Sequence, residues 1–298
     1  MTLRATLLLL LVGSVWGASF LFIRVAIDEV QPLQIVFVRT ASGALVMLAF
    51  LRASGRPIDA TKRNLLLSGG LAVMAILVPF FLIAWGEKEV ESGTAAVMNA
   101  TMPLFTLVFA AALLAEERLT TARVAGVALG FGGVVVLAGG EVDGSDSAIS
   151  MAAMVLASAC YGIAAIGGRV LVQRWNPFAL STAMVTFAAI YSGAIFFATG
   201  DPRIDISAEA WLSMLALGTA GTGMAYVAYY TLIDMVSSVR SSFVAYIIPV
   251  VGVALGAVVL DEAVTWNTVL GGAIILVGVA IGTGAVHGLR REFAREGV

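Results

Sequence analysis

The sequence predicts an all-α membrane protein of ten transmembrane helices, built as two inverted five-helix repeats. Composition, the spacing of apolar runs and an internal repeat carry that expectation. Of 298 residues, 60% are hydrophobic and 12% charged, and the mean hydropathy is +1.00. A soluble domain carries roughly 45–50% apolar and about 25% charged residues, so this chain lacks the polar material to face water all round. The same numbers exclude disorder and a coiled coil. The 17 basic and 19 acidic residues form no long basic run, which argues against a nucleic-acid partner. One cysteine, Cys160, and one histidine, His287, allow neither an intramolecular disulfide nor a metal site, and no cofactor is expected.

Crossing the hydrocarbon core takes about 20 mostly apolar residues. Ten such stretches follow one another, centred near Gly13, Leu45, Ala75, Phe105, Gly130, Tyr161, Ala188, Thr222, Val251 and Val277. Short clusters of charge, proline or glycine separate them. Arg4 followed by Leu7 to Val12 and Gly17-Ala18-Ser19 has the look of a cleaved leader, but the segment recurs later in the chain, which assigns it to the first span. With ten crossings, 13 of the 17 basic residues fall on the side that holds both termini. Arg52, Arg56, Lys62 and Arg63 are among them, as are Arg118, Arg123, Arg174, Arg240 and Arg290. The positive-inside rule then places both termini in the cytoplasm of a multi-pass cell (inner) membrane protein. Asp28, Glu87, Glu89, Glu141, Asp143, Asp146, Asp201 and Asp205 are expected to face outward.

A shift of 145 residues sets Trp16-Gly17 on Tyr161-Gly162, Arg24 on Arg169, Pro32 on Pro177 and Glu117 on Glu262. Thr120 meets Thr265, Gly126 meets Gly271 and Gly133 meets Gly278, while Pro103 meets Pro249 at a shift of 146. The halves are residues 1–143 and 148–298. An odd number of spans per half inverts the second half in the membrane, a recurring basis for secondary transporters with a midplane site.

These residues also carry a resemblance. Trp16-Gly17, Pro32 leading to Arg39, Pro103 and the Glu117-Arg118-Leu119-Thr120 turn, with Tyr161-Gly162, Pro177, Pro249 and Glu262-Ala263-Val264-Thr265, resemble EamA-type members of the drug/metabolite transporter superfamily. Within it the chain is most similar to bacterial amino-acid exporters. The resemblance covers nearly the whole chain; it identifies the fold well and the substrate poorly.

The candidate residues follow in chain order. In the first span, Trp16 and Phe20 are aromatic, and Trp16 is repeat-related to Tyr161 of the sixth. Arg39 in the second span has Met184 at its repeat position, so its charge is not shared scaffold. It either snorkels to outer counter-ions such as Glu87, Glu89 or Glu91, or serves an outer gate or a substrate carboxylate. Phe80 lies in the third span, where Pro79 stays ambiguous. The fourth holds Asn99, whose carboxamide suits a carboxylate or an ammonium, beside the deformable Met98. Pro103 there and Pro249 in the ninth span are read as matched bends, either gating or bland. Phe187 in the seventh span and Tyr246 in the ninth add aromatics. In the eighth, Thr219, Thr222, Tyr226 and Tyr229 fall at helical spacing, which makes either an interhelical hydrogen-bond seam or a substrate-facing wall. Gly13/Gly17, Gly126/Gly130, Gly252/Gly256 and Gly278/Gly282 read as packing pairs, with the fifth and tenth spans as scaffold.

The sequence places no Asp or Glu near the middle of a span, so flux is expected to run downhill without a proton gradient. Nucleotide sugars would need several cavity cations. No enzyme constellation is present, and no phosphate-cradling loop for ATP. The expected function is therefore export of small neutral or zwitterionic metabolites, amino acids foremost, aromatic and apolar ones included. The alternative is another neutral cargo such as a sugar, purine or hydrophobic drug. Partners beyond substrate and lipid bilayer are not expected, since one chain can enclose a path.

Overall fold

Residues 2–55, 61–114, 120–141, 145–172, 175–199, 203, 205–236 and 243–284 are described by a computed structural model. His287, the Glu117-Arg118-Leu119 turn, Arg56, Arg174, Arg240, Arg290, Asp143 and Asp201 lie outside them, as do the side chains of Glu141, Asp146, Arg169 and Asp234. Among the described residues there is no strand.

The first half contains α1 (Leu3–Ile27), α2 (Pro32–Ala53), α3 (Lys62–Ala72), α4 (Val78–Gly86), α5 (Ser92–Asn99), α6 (Met102–Leu113) and α7 (Thr121–Glu141). The second contains α8 (Ser145–Val172), α9 (Pro177–Thr199), α10 (Ala208–Gly218), α11 (Ala225–Met235), α12 (Val244–Val259) and α13 (Trp266–Thr283). Local chemistry sets where helices begin. Thr2, Thr61, Ser207 and Thr265 each accept a backbone N–H of the first turn. Pro32 and Pro177 open α2 and α9, where a missing N–H costs nothing.

Eight helical runs among the described residues are long and apolar enough to cross a membrane, and α12 is a shorter apolar helix of 16 residues. Their outward faces are greasy: Leu45, Val135, Phe197 and Val258 are all strongly exposed. In water this would be untenable; against lipid tails it is the expected surface.

Helices approach one another through glycine. A Cβ added at Gly133 would sit 2.8 Å from the Gly271 carbonyl oxygen, and one at Gly278 would sit 2.5 Å from the Gly130 nitrogen. The α7 and α13 backbones therefore touch directly, as their reading as scaffold spans expects. Gly13 and Gly17 likewise admit Ile247 and Val251 of α12, with built Cβ distances of 2.6 and 2.7 Å.

Two segments depart from α geometry. A π turn, Val73–Leu77, joins α3 to α4, and another, Thr219–Met224, joins α10 to α11. Their first residues are 146 apart, the shift that relates Pro103 to Pro249. Pro79, ambiguous in the sequence, stands two residues after the first π turn, where its missing N–H loosens the preceding ladder. The second has no proline; it follows Gly218 and contains Gly221 and Gly223.

The repeat-related prolines Pro103 and Pro249 sit in different settings. The helix breaks between Asn99 and Met102, so Pro103 stands in the first turn of α6 rather than inside a helix. Pro249 is buried within α12, which runs on through it. An interior proline is tolerated there because neighbouring helices enclose it.

Candidate functional site

Arg39 is the organising residue. It lies on α2, and α2 meets the second π turn with almost no gap. A Cβ at Gly218 would lie 2.6 Å from the Arg39 carbonyl oxygen, and one at Gly43 would lie 2.8 Å from Thr222 Cγ2. This contact brings the Arg39 Nε within 3.2 Å of the Thr222 hydroxyl, to which it donates. The Thr222 hydroxyl in turn donates to the Leu217 carbonyl at 3.0 Å. On its other side the Arg39 guanidinium carbon stands 3.8 Å from the centroid of the Phe80 ring. A cation over an aromatic face is attracted by the ring quadrupole, more strongly when desolvated.

Arg39 is only 8% exposed, its head buried in the protein. None of the three proposed counter-ions forms an ion pair with it, although Glu87 lies within its electrostatic reach, and among the described residues no carboxylate pairs with it. Tyr161 and Tyr226 stand within electrostatic reach of the guanidinium. Tyr226 also meets Trp16 edge-on, with ring centroids 6.0 Å apart, and Tyr229 tilts against Trp16 at 5.1 Å. The Trp16 indole N–H donates to the Gly221 carbonyl at 3.1 Å, inside the π turn. Seven predicted residues thus form one cluster between the halves: Trp16, Arg39, Phe80, Tyr161, Thr222, Tyr226 and Tyr229. Thr222 is wholly buried in the seam with α2, while Thr219 bonds back to Leu215 of its own helix.

Other predicted residues sit elsewhere. Phe20 is buried in the core beside α4 and α5, and Met98 is fully buried in the same core. Asn99 ends α5 at the helix break, with its side-chain oxygen buried and unpartnered. Phe187 stacks on Tyr191 at 5.9 Å against Gly69 of α3. Tyr246 packs on Phe243 and its hydroxyl reaches Thr283 of α13.

One end of the bundle is closed by contacts that sequence reading did not foresee. Glu29, between α1 and α2, accepts both the backbone N–H (2.7 Å) and the hydroxyl of Ser207 at the start of α10. Those two bonds hold the Glu29 carboxyl below the usual carboxylate range. The Gln34 amide exchanges hydrogen bonds with the Arg203 backbone at 2.7 and 3.2 Å. Glu262 accepts from the Ser92 N–H, the Ser92 hydroxyl and the Gly93 N–H at 2.8, 2.9 and 3.0 Å, capping α5. Arg24 bridges Asp28 at 3.2 Å and the Glu87 carbonyl at 3.0 Å.

Two clefts open at this end, of about 800 and 590 Å3. The larger is bordered by Glu29, Pro32, Trp85 and Arg203, the smaller by Arg24, Lys88, Glu89 and Glu262. No predicted substrate residue lines either one.

Glu87, at this same end of the bundle, is 0% exposed, and both its carboxyl oxygens are buried without a hydrogen-bond partner among the described residues. The cause is packing of α8 over its neighbour: a Cβ at Gly86 would meet Met154 Cε at 2.9 Å and the Ser150 carbonyl at 3.1 Å.

Comparisons with known proteins agree with this architecture. The chain is 26% identical over 281 residues to an uncharacterized transporter of Archaeoglobus fulgidus, covering 94% of this chain and 98% of that one. It is 27% identical over 303 residues to a probable terminal-alkyne amino-acid exporter of Streptantibioticus cattleyicolor, covering 99% and 98%. One solved crystal structure shares the fold with a TM-score of 0.66 at 20% identity, over 94% of this chain and 96% of its own. The EamA-like transporter family model matches twice, over residues 3–139 and 148–283, and the chain belongs to that family.

Proposed function

We propose that the chain is a secondary transporter that exports amino acids, aromatic and apolar ones included, by alternating access between its halves. In this reading ten spans form two inverted repeats, both termini are cytoplasmic, and the end closed by Glu29 and Glu262 is the outer one. The carrying observation is the setting of Arg39: buried, fixed through Nε to Thr222 and through its face to Phe80, with no carboxylate in an ion pair with it among the described residues. A guanidinium so placed has its forked terminal N–H groups left for a ligand carboxylate, which it can grip in two bonds. Trp16, Tyr161, Tyr226 and Tyr229 would then flank the cargo's side chain with aromatic surface and hydroxyls. The name borne by the Streptantibioticus relative points the same way. A sugar, purine or neutral drug has no anion for Arg39, so those cargoes are the weaker reading.

The test is counterflow into liposomes holding the purified protein, with labelled tryptophan, methionine or threonine. Flux above empty vesicles that falls when the carboxylate is amidated is the expected result. No flux for any amino acid would end the proposal.

A further inference from the structure

A carboxyl with both oxygens shut away from water and bonded to nothing is not stable as an anion. Desolvating an ion costs far more than desolvating a neutral acid, so such a group keeps its proton instead. Glu87 meets that description at the end of α4, one residue beyond the membrane-crossing run Lys62–Gly86. The charged groups that face it come from three directions. Arg24 of α1 holds its backbone carbonyl at 3.0 Å, Arg39 of α2 lies deeper, and Glu262 stands between α12 and α13. The described α8 residues packed against the neighbouring Gly86 are Met154 and Ser150, which carry no charge. Lys88 and Glu89, next along the chain, are exposed. Burial pushes the Glu87 carboxyl well above the usual carboxylate range; Glu262 adds to this, and Arg24 and Arg39 oppose it.

We infer that Glu87 is a proton-binding site that reads the closure of the Glu29–Ser207 end: it holds one proton while that end is shut and releases it when the end opens and water enters. The proton leaves to, and returns from, the side on which that end opens, which is the outer side in the proposed topology. The site therefore senses pH there and moves no net proton across the membrane, so downhill flux remains compatible with it. The linkage has a definite sign. The closed form has the raised pKa, so closure is favoured by acid and loses that support as pH rises from the ordinary carboxylate range towards the raised value. One proton sets the limiting slope, about tenfold in the closed-to-open ratio per pH unit. Glu29, whose carboxyl is held low, titrates only at more acid pH and does not contribute to this response.

The test uses the full chain in lipid nanodiscs, where both faces see the same pH and no substrate is needed. Spin labels on Glu89→Cys and Asp205→Cys, in a Cys160→Ala background, report distance across this end by pulsed electron resonance. As pH rises from the ordinary carboxylate range, the closed population should fall, by up to about tenfold in the closed-to-open ratio per pH unit. Glu87→Gln, which mimics the protonated acid, should stay closed throughout. A pH response that survives in Glu87→Gln, or its absence in the parent, overturns the proposal. Infrared spectroscopy of the unlabelled protein gives a second reading that needs no folded variant. A protonated-carboxyl stretch that persists above the ordinary carboxylate range and is lost as pH rises further is expected, and its absence above that range also overturns the proposal. Neither measurement depends on the cargo or on which end is outer, so failure of the export reading is separately visible.

Discussion

Arg39 and Thr222 are 183 residues apart in the chain and 3.2 Å apart in space, joined by the guanidinium Nε and the threonine hydroxyl. That bond ties α2 of one half to the π turn of the other, and it aims the remaining face of a buried cation. Its consequences are measurable.

Arg39→Lys should bind amino acids about ten- to a hundredfold more weakly, because an ammonium cannot reproduce a planar fork or lie flat on Phe80. Affinity for the corresponding amino-acid amide should change little. Isothermal titration or competition counterflow with the paired ligands reads both numbers. Equal losses for acid and amide would mean that Arg39 holds the fold rather than the ligand.

Trp16→Phe keeps the aromatic contacts with Tyr226 and Tyr229 but removes the donor to Gly221. A buried carbonyl left without its donor costs about 1–3 kcal/mol. A lower melting temperature in detergent and slower flux are expected, with Trp16→Tyr no better, since its hydroxyl is placed differently.

Gly278→Val should be the most damaging single change in the scaffold. A side chain there meets the Gly130 nitrogen at 2.5 Å and the Gly126 carbonyl at 2.7 Å, and backbone cannot move aside cheaply. The expected outcome is loss of folded protein on size-exclusion chromatography. Gly132→Val, on the same face count of glycines but with open space beside it, should fold normally.

Glu29→Gln should loosen the closed end at neutral pH and have no further effect at pH below the lowered carboxylate value. The carboxylate's two bonds to Ser207 hold its pKa low, so its contribution is present above the ordinary carboxylate range and is lost as pH falls through the lowered value. The spin-label pair described above should report a larger open population in this variant at neutral pH.

The helical runs were legible because lipid imposes one rule on every crossing segment, long apolar stretches with paired backbone, and composition alone reports it. Trp16, Thr222, Tyr226 and Tyr229 were legible for a related reason: hydroxyls and an indole in an apolar run must find protein partners. What Arg39 touches was not legible, since no local pattern encodes a partner 183 residues away. The π turns left only indirect traces, Pro79 just after one and Gly218, Gly221 and Gly223 at or within the other. The burial of Glu87 was not legible, because it stands among Gly86, Lys88 and Glu89, a string that looks solvated. Tertiary packing by α8 overrode that appearance.

The two π turns make the same widening by different means, a pyrrolidine ring after one and missing side chains around the other. A ring restricts the backbone before any motion begins, whereas glycines surrender conformational freedom each time they are held. Warming should therefore loosen the Thr219–Met224 segment more than the Val73–Leu77 segment, and under the proposed alternating access the two strokes would have unequal activation entropies.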